Sequence, residues 1–368
     1  MAEAATALAR GDTAPWFKAA ALSGSPDYCF DTVAGRLVLM LFFGSASFEP
    51  SKAAIELVSR ERALFDDERA AFFGVSVDPE DVAKERIAQE LPGLRYFLDF
   101  DRKVSRLYGA SDGERYAPFW LLLDPALRVI ERFPIGEGEA ALALAKARAE
   151  QPFAPDAWAP VLQVADVLEP ALCRHLIELY ERDGGEASGF MRDVEGKTRL
   201  VHDPAHKQRR DYLVGDEALQ RGLAGRIRRR LAPALARAFQ FEATRMERYL
   251  VACYEAGAGH FRPHRDNTTK GTAHRRFAVT INLNSGDYEG GDLRFPEFGP
   301  RTYRAPTGGA IVFSCSLLHE AIPVTVGRRY AFLPFLYDDE AARLREANNP
   351  HLGDGVSAYR MGDGPGKA

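Results

Sequence analysis

The chain is poor in cysteine and holds no apolar run long enough to cross a membrane. Its four cysteines, Cys29, Cys173, Cys253 and Cys315, lie far apart and form no Cys-x-x-Cys pair. That spacing offers neither a disulfide framework nor a zinc site, and it fits a reducing compartment. No apolar stretch approaches the roughly 20 residues that span a bilayer. Met1-Ala2-Glu3-Ala4-Ala5 also lacks the basic region and apolar run of a secretion signal. A cytoplasmic protein with no membrane association is the expectation. Positive charge is not in excess either: 48 Lys and Arg stand against 52 Asp and Glu, a net charge of −4. That balance gives no reason to expect nucleic acid as a partner. Two local basic clusters run against it, His206-Lys207-Gln208-Arg209-Arg210 and Arg226 to Arg230, and the second reads as a solvated helical face.

At 368 residues, with 46% hydrophobic and 27% charged residues, the chain is long enough for two domains with separate cores. The pattern divides at Gln151-Pro152-Phe153-Ala154-Pro155-Asp156-Ala157-Trp158-Ala159-Pro160, where closely spaced prolines block both helix continuation and strand pairing. The expected organisation is an α/β domain over 1–151, a linker over 152–160, a β-rich domain over 161–340 and a tail over 341–368.

In the first half, Arg36 to Phe43 is an almost continuous apolar run, as a strand buried on both faces requires. Helical spacing follows over Ser51 to Phe65, then a second buried strand over Ala71 to Val77. Asp78-Pro79-Glu80-Asp81 carries the signals of a helix start. Strands over Phe119 to Asp124 and Leu127 to Phe133 and a helix over Glu139 to Glu150 complete a sheet flanked by helices. This order resembles the thioredoxin-like fold of the peroxiredoxins. Gly11-Asp12-Thr13-Ala14-Pro15, Phe42-Phe43-Gly44, Asp78 and Ala117-Pro118-Phe119 carry the likeness, which implies a cis bond before Pro118 beside the redox centre. Yet where that family places its reactive thiol, this chain reads Ser45-Ala46-Ser47-Phe48-Glu49-Pro50-Ser51. Thiolate chemistry needs a cysteine of lowered pKa, which serine cannot replace at neutral pH. Cys29 lies ahead of the first long strand and reads as a packing or surface residue. A redox-silent domain is expected, with docking or homodimer formation as its remaining role.

Beyond the linker, a helix is expected over Glu169 to Arg182, with His175 on its apolar stripe. A polar, irregular loop is expected over 184–212, and a long helix over Asp216 to Phe239 that Pro233 kinks or splits. Short strands follow at Met246–Tyr254, Arg276–Asn284, Asp292–Phe295, Ala310–Ser314 and Arg328–Leu336, with glycine-rich turns between them, which indicates a sandwich or barrel.

This half carries the chemistry. His264-Arg265-Asp266 on extended backbone points the histidine and the aspartate to one face, because strand side chains alternate. His319 from a neighbouring strand would add a third ligand on one face of an iron octahedron, leaving positions open for a co-substrate and dioxygen. A bidentate 2-oxo acid can fill two of them, and its distal carboxylate needs a fixed cation such as Arg329. Arg328 is the rival, but neighbouring strand residues face opposite ways. His260 and His274 fit no ligand position and read as exposed loop histidines. Arg275 and Arg276 open a strand beside the site, where contact with substrate and a solvated strand end are equally open. Cys253 and Cys315 read as packing residues.

Three spaced motifs resemble the prolyl 4-hydroxylase group of 2-oxoglutarate/Fe(II) oxygenases. They are Tyr254-x-x-Gly257-x-x-x-Phe261-x-x-His264-x-Asp266, Glu289-Gly290-Gly291-Asp292-Leu293 and His319-x-x-x-Pro323-Val324-x-x-Gly327-x-Arg329. Val251-Ala252-Cys253-Tyr254 and Arg329-Tyr330-Ala331 look particularly like the hypoxia-sensing prolyl hydroxylases. The likeness implies a double-stranded β-helix (jelly roll) with supporting helices. It makes His264, Asp266 and His319 the Fe(II) ligands and puts Arg329 and Tyr254 on the 2-oxoglutarate carboxylate. Asn282 stands where a relative has a tyrosine that touches the co-substrate. The implied reaction consumes O2, releases succinate and CO2, and hydroxylates an aliphatic carbon in a protein, peptide or free amino acid. Ascorbate is a candidate accessory reductant. The competing readings are a non-catalytic binding protein and a peroxiredoxin-like redox protein; the absent thiol argues against the second.

Overall fold

The computed structural model describes residues 8–113, 115–151 and 157–362. It resolves into two compact units. One runs to Ala157 and includes the short segment Pro296–Pro300; the other comprises Trp158 to Phe295 and the chain from Arg301 onward. The prolines at 152 and 155 of the expected linker lie outside the described residues. Among the described residues no helix is long and apolar enough to cross a membrane.

The first unit is built on a five-stranded sheet ordered Leu94–Leu98, Ala70–Ser76, Leu37–Gly44, Phe119–Leu123, Val129–Pro134. The first three strands pair parallel, Phe119–Leu123 runs against them, and Val129–Pro134 pairs antiparallel to Phe119–Leu123. Every residue of Leu37–Gly44 is buried, because both faces are covered. Leu37, Leu39, Leu41 and Phe43 pack in one core with Ala54, Val58, Ala141 and Leu142 from helices Glu49–Arg60 and Gly138–Ala149. On the other face Phe42 lies against Tyr108 and Phe119. This is the thioredoxin-like fold expected. The strand Leu94–Leu98 and the short helix Lys103–Leu107 carried no clear signal, since each is five residues long. The cis bond is elsewhere: Leu91–Pro92 is cis among the described residues, and Ala117–Pro118 is not.

The second unit is a double-stranded β-helix. Its larger sheet runs Arg245–Glu247, Phe335–Tyr337, Phe277–Asn282, Val324–Phe332, Leu250–Glu255, Arg210–Leu213, Glu186–Ala187, with Ala310–Ser314 also paired to Phe277–Asn282. The smaller runs Lys207–Gln208, His260–His264, His319–Ala321, Leu293–Arg294, Thr302–Tyr303. Strand alternation sorts the residues. Val251, Cys253, Val279, Ile281 and Phe332 face the helices and pack on Cys173, Leu176, Leu223 and Leu231. Leu250, Ala252 and Tyr254 face the opposite way, toward Phe261 and Ala321 of the smaller sheet. Burying the outer face under helices and the inner face between sheets is what fixes each strand's register.

Several expectations change here. The 184–212 segment is not an irregular loop: it holds the hairpin Phe190–Val194/Lys197–Val201, paired residue for residue, and strands that join both sheets. The strands at 207–208 and 210–213 take partners from distant sequence, at 260–261 and 250–253, so local polarity hid them. Arg248, at φ 68°, breaks the expected single strand 246–254, so that Arg245–Glu247 pairs with Phe335–Tyr337 and Leu250–Glu255 with Val324–Phe332. The long helix is interrupted by a π-turn at Ile227–Leu231, immediately before Pro233. Proline has no N–H to give and its ring crowds the carbonyl four residues back, so the wider turn accommodates it. Residues 339–347, placed largely in the tail, form a helix whose Ala341 and Ala342 pack against Tyr337.

Candidate active site

His260–His264 runs antiparallel to His319–Ala321, with a bulge after Phe261 and His264 directly opposite His319. Residues opposite each other in an antiparallel pair share a face. Asp266 lies two positions on from His264, its N–H held by the Cys315 carbonyl at 3.0 Å. Nε2 of His264 stands 3.6 Å from one Asp266 oxygen and Nε2 of His319 3.3 Å from the other. One ligand atom from each of the three residues lies within 4.8 Å of the others. The remaining ring nitrogens face backbone carbonyls, His264 Nδ1 to Arg262 at 2.8 Å and His319 Nδ1 to Leu317 at 3.0 Å. A ring N–H spent on a carbonyl leaves Nε2 with a free lone pair aimed inward, the form that ligates a metal. Phe261 stacks on His264 at 3.4 Å and Phe313 stands edge-on to His319 at 4.6 Å, which holds both rings and keeps water off them.

Across the same cavity stand Tyr254 and Arg329, opposite one another on adjacent strands of the larger sheet. Arg329 is 2% exposed, its guanidinium carbon 5.1 Å from the Tyr254 ring centroid, and its buried Nε has no hydrogen-bond partner among the described residues. A buried cation with an unpaired donor is costly unless an anion joins it. Arg328 lies on the other face, about half exposed, 3.3 Å from Glu255. The Gly291 Cα is pressed close to Arg329: at φ +69°, an added Cβ there would lie 3.1 Å from Arg329 Cδ and 2.8 Å from Val324 Cγ2. Only glycine fits that turn beside the arginine.

The cavity also takes Arg209, Arg248 and Thr280, which sequence reasoning did not single out as site residues. Arg209 donates to Asp211 through Nε at 2.7 Å and Nη2 at 2.6 Å, and to the Tyr254 hydroxyl at 3.3 Å. Burial works against its charge, but the Asp211 carboxylate outweighs burial and holds the guanidinium protonated. Lys207 pairs in register with Phe261 and is buried, its Nζ bonding Ser188 Oγ at 2.7 Å and the Gly189 carbonyl at 2.6 Å. The one available signal was the basic cluster 206–210. Its strands belong one to each sheet, so Lys207 and Arg209 turn inward while Gln208 and Arg210 stay exposed.

Other candidates fall elsewhere. Asn282 is buried but does not line the cavity; Nδ2 donates to the Ala305 carbonyl at 2.9 Å and Oδ1 has no partner among the described residues. Arg275 is engaged by Glu247 at 2.7 Å and reaches the Asp266 carbonyl at 3.4 Å. Arg276 turns to the Ala273 carbonyl at 3.3 Å. His274 is not exposed: it is 1% accessible and bonds Glu247 at 3.1 Å, which makes it part of a buried ionic cluster with Arg275 and Arg345. His260 is half-buried on its strand, Nδ1 to the Ala258 carbonyl at 2.7 Å. His175 lies off the buried stripe, about half exposed, because Cys173, Leu176 and Tyr180 take the inward positions. Cys253 and Cys315 are buried.

Burial, reinforced by His319, lowers the His264 imidazole to about 4. For Asp266 burial raises the carboxyl, but His319 and the His264 hydrogen bond outweigh it and hold it well below the usual range. Both ligands are therefore metal-ready at neutral pH. The unfolded chain takes up the histidine proton near pH 6.5 and the folded chain only near 4. Between those values the unfolded state binds more protons, so stability falls as pH falls. Metal-free protein is expected to lose up to roughly 3 kcal/mol through His264 between pH 6.5 and 4, with His206, lowered to about 4 by burial and then Arg192, adding in the same window. A denaturation midpoint that stays flat from pH 7 to 4 would contradict this.

The first unit's counterpart of a thiol site is built against a thiolate. Ser45 Oγ donates to Asp78 at 2.6 Å, and the Ala46 N–H is taken by both Asp81 oxygens at 3.1 Å. Arg86 is shared by the two carboxylates, at 3.3 and 3.2 Å, so one negative charge remains uncompensated where an anion would need donors. Accordingly Ser47→Cys should gain no peroxidase activity, and Ser47→Ala should leave turnover at the His264 site within about twofold, since that side chain is exposed and among the described residues its hydroxyl bonds only Ser45. Turnover lost in Ser47→Ala would mean that this unit serves the chemistry.

Comparison with known proteins agrees with both halves. The family model of the 2OG-Fe(II) oxygenase superfamily matches residues 249–337, and that of the AhpC/TSA family matches residues 10–135. The PKHD-type hydroxylase of Bordetella pertussis is 30% identical over 179 residues, 46% of this chain and 74% of that protein. One from Synechococcus is 27% identical over 181 residues, 46% and 75% respectively. A Pseudomonas putida prolyl-4-hydroxylase structure aligns at 22% identity and a TM-score of 0.37, covering 49% of this chain and 93% of that one. The chain belongs to the 2-oxoglutarate/Fe(II)-dependent oxygenases and, within them, to the PKHD-type hydroxylases. It is a 2-oxoglutarate- and iron-dependent hydroxylase carrying an N-terminal peroxiredoxin-like domain without the active-site cysteine.

Proposed function

We propose that His264, Asp266 and His319 hold the Fe(II), that Arg329 and Tyr254 hold the distal carboxylate of 2-oxoglutarate, and that the enzyme hydroxylates an aliphatic carbon of the prolyl type in a protein, peptide or free amino acid. The observation that carries this is the pairing of the two histidines in register beside Asp266, across one cavity from a buried arginine whose Nε has no partner among the described residues. The donor set fits the metal: two neutral imidazoles and one carboxylate suit ferrous iron. When bound, iron supplies the activation of dioxygen that couples decarboxylation of 2-oxoglutarate to succinate and CO2 with hydroxylation of the substrate.

The protein's own residues do the positioning. Carbonyls of Arg262 and Leu317 fix the tautomer of each imidazole. Phe261 and Phe313 hold the rings and exclude water. Arg329 offers a planar fork to a carboxylate, and Tyr254, itself anchored by Arg209, offers a hydroxyl beside it. Ascorbate would act as an accessory reductant that keeps the iron ferrous between cycles. The N-terminal domain would serve docking or homodimer formation. The test is a substrate screen read by mass: with Fe(II), 2-oxoglutarate and O2, a prolyl peptide or proline should gain one oxygen in proportion to CO2 released. CO2 release coupled to oxygen gain in other aliphatic side chains, with prolyl compounds unchanged, would overturn the prolyl assignment.

A further inference from the structure

Three arginines, Arg209, Arg248 and Arg329, line the cavity against one carboxylate, Asp266. Two of them are accounted for. Arg209 is spent on Asp211, and Arg329 is assigned to 2-oxoglutarate. Arg248 makes no hydrogen bond among the described residues. The nearest carboxylate oxygen, Asp211 Oδ2, is 3.9 Å away and already accepts from Arg209 and Ser188. Yet Arg248 is deliberately placed. Its backbone lies at φ 68° between two strands, a left-handed conformation that L side chains rarely adopt and that concentrates at functional sites. Its guanidinium rides over the Phe335 ring at 5.1 Å, beside Arg275 on the same ring at 4.2 Å.

Nearby charge does not relieve it. Arg275 is paired to Glu247, and buried Lys207 has no carboxylate in ion-pair range among the described residues, its ammonium resting on neutral oxygens. Burial and then the charges of Arg209 and Arg275 push Arg248 down to about 10, the mark of a cation crowded by cations. The charges of a ferrous ion and a 2-oxoglutarate dianion cancel each other, so loading the site leaves this excess in place.

We propose that Arg248 receives a carboxylate of the substrate, so that the enzyme acts on acidic molecules: an amino acid or peptide that presents its terminal or side-chain carboxylate to the cavity beside the carbon to be hydroxylated. The inference rests on the hydroxylase reading above and narrows its substrate class. A planar fork bound to a carboxylate through two hydrogen bonds gives direction as well as attraction, which would fix the substrate relative to the iron.

The test uses the full chain with Fe(II) and 2-oxoglutarate under anaerobic conditions, titrated calorimetrically with matched acid and amide probes. The pairs are N-acetylproline and its amide, N-acetylleucine and its amide, and the α-amides of N-acetyl-Pro-Glu and N-acetyl-Pro-Gln. The acid of at least one pair should bind at least about tenfold tighter than its neutral partner. Arg248→Gln should erase that preference, and Arg248→Lys should restore part of it. Preference within the N-acetyl amino acids marks a terminal carboxylate; preference confined to the Glu/Gln pair marks a side chain. Equal binding of acids and amides, no binding of any acid, or a preference that survives in folded Arg248→Gln would overturn the proposal. Aerobic CO2 release by the wild-type chain, measured in parallel, reports on the hydroxylase reading separately.

Discussion

His319→Ala is expected to lower 2-oxoglutarate-dependent CO2 release by more than about a hundredfold. Residues that merely orient a metal ligand already cost about 10–100-fold when lost, and His319 is proposed as a ligand itself. Its removal would leave two donors, His264 and Asp266, and would strip Asp266 of the partner 3.3 Å away that most lowers its carboxyl. The fold should survive, because His319 packs against Phe313 and Phe295 and its truncation removes one ring from a well-packed sheet interior. Ferrous affinity by equilibrium dialysis and a melting curve separate loss of metal from loss of structure. A folded variant keeping a tenth of wild-type turnover would remove His319 from the ligand set.

The second large effect is at Arg329. Arg329→Gln is expected to raise the KM for 2-oxoglutarate about a hundredfold or more while kcat falls less. Truncating one partner of a buried charge pair costs about 2–5 kcal/mol, and about 1.4 kcal/mol is a tenfold change. Arg329→Lys should recover only part of the affinity, since the charge stays but the fork is lost. Arg328→Gln is the comparison: its side chain is on the outer face with Glu255 and Glu181, and it should change KM by less than about twofold. An unchanged KM in Arg329→Gln, or the large effect appearing in Arg328→Gln, would reassign the co-substrate's cation.

What was legible in the sequence was whatever local spacing encodes. His264-x-Asp266 gave the two ligands by their spacing, although the strand ends at His264 and Asp266 lies in the turn after it, held there by the Cys315 carbonyl. Strand alternation separates Arg329 from Arg328 and Tyr254 from Cys253. The buried strand at 37–44 announced itself by an unbroken apolar run, and the missing thiol by serines. What stayed hidden depends on which distant strands meet. Lys207 comes to lie over the Phe261 ring beside the site because their strands pair, and Arg209 enters the cavity because its segment pairs beside Leu250–Glu255. Neither pairing leaves a trace in the sequence around 203–211, which is almost wholly polar. Arg248 depends on a left-handed residue that no turn signal such as Gly or Asn marks. His274 looked like a loop histidine because Glu247, which buries it, lies 27 positions away.

Full-length protein, mixed anaerobically with Fe(II) and then 2-oxoglutarate, should develop the weak visible charge-transfer band of a ferrous 2-oxo acid chelate, and Asp266→Ala should not. If the wild-type chain gives no band and releases no CO2 from 2-oxoglutarate once air is admitted, the cavity between His264 and Arg329 is not the iron site described.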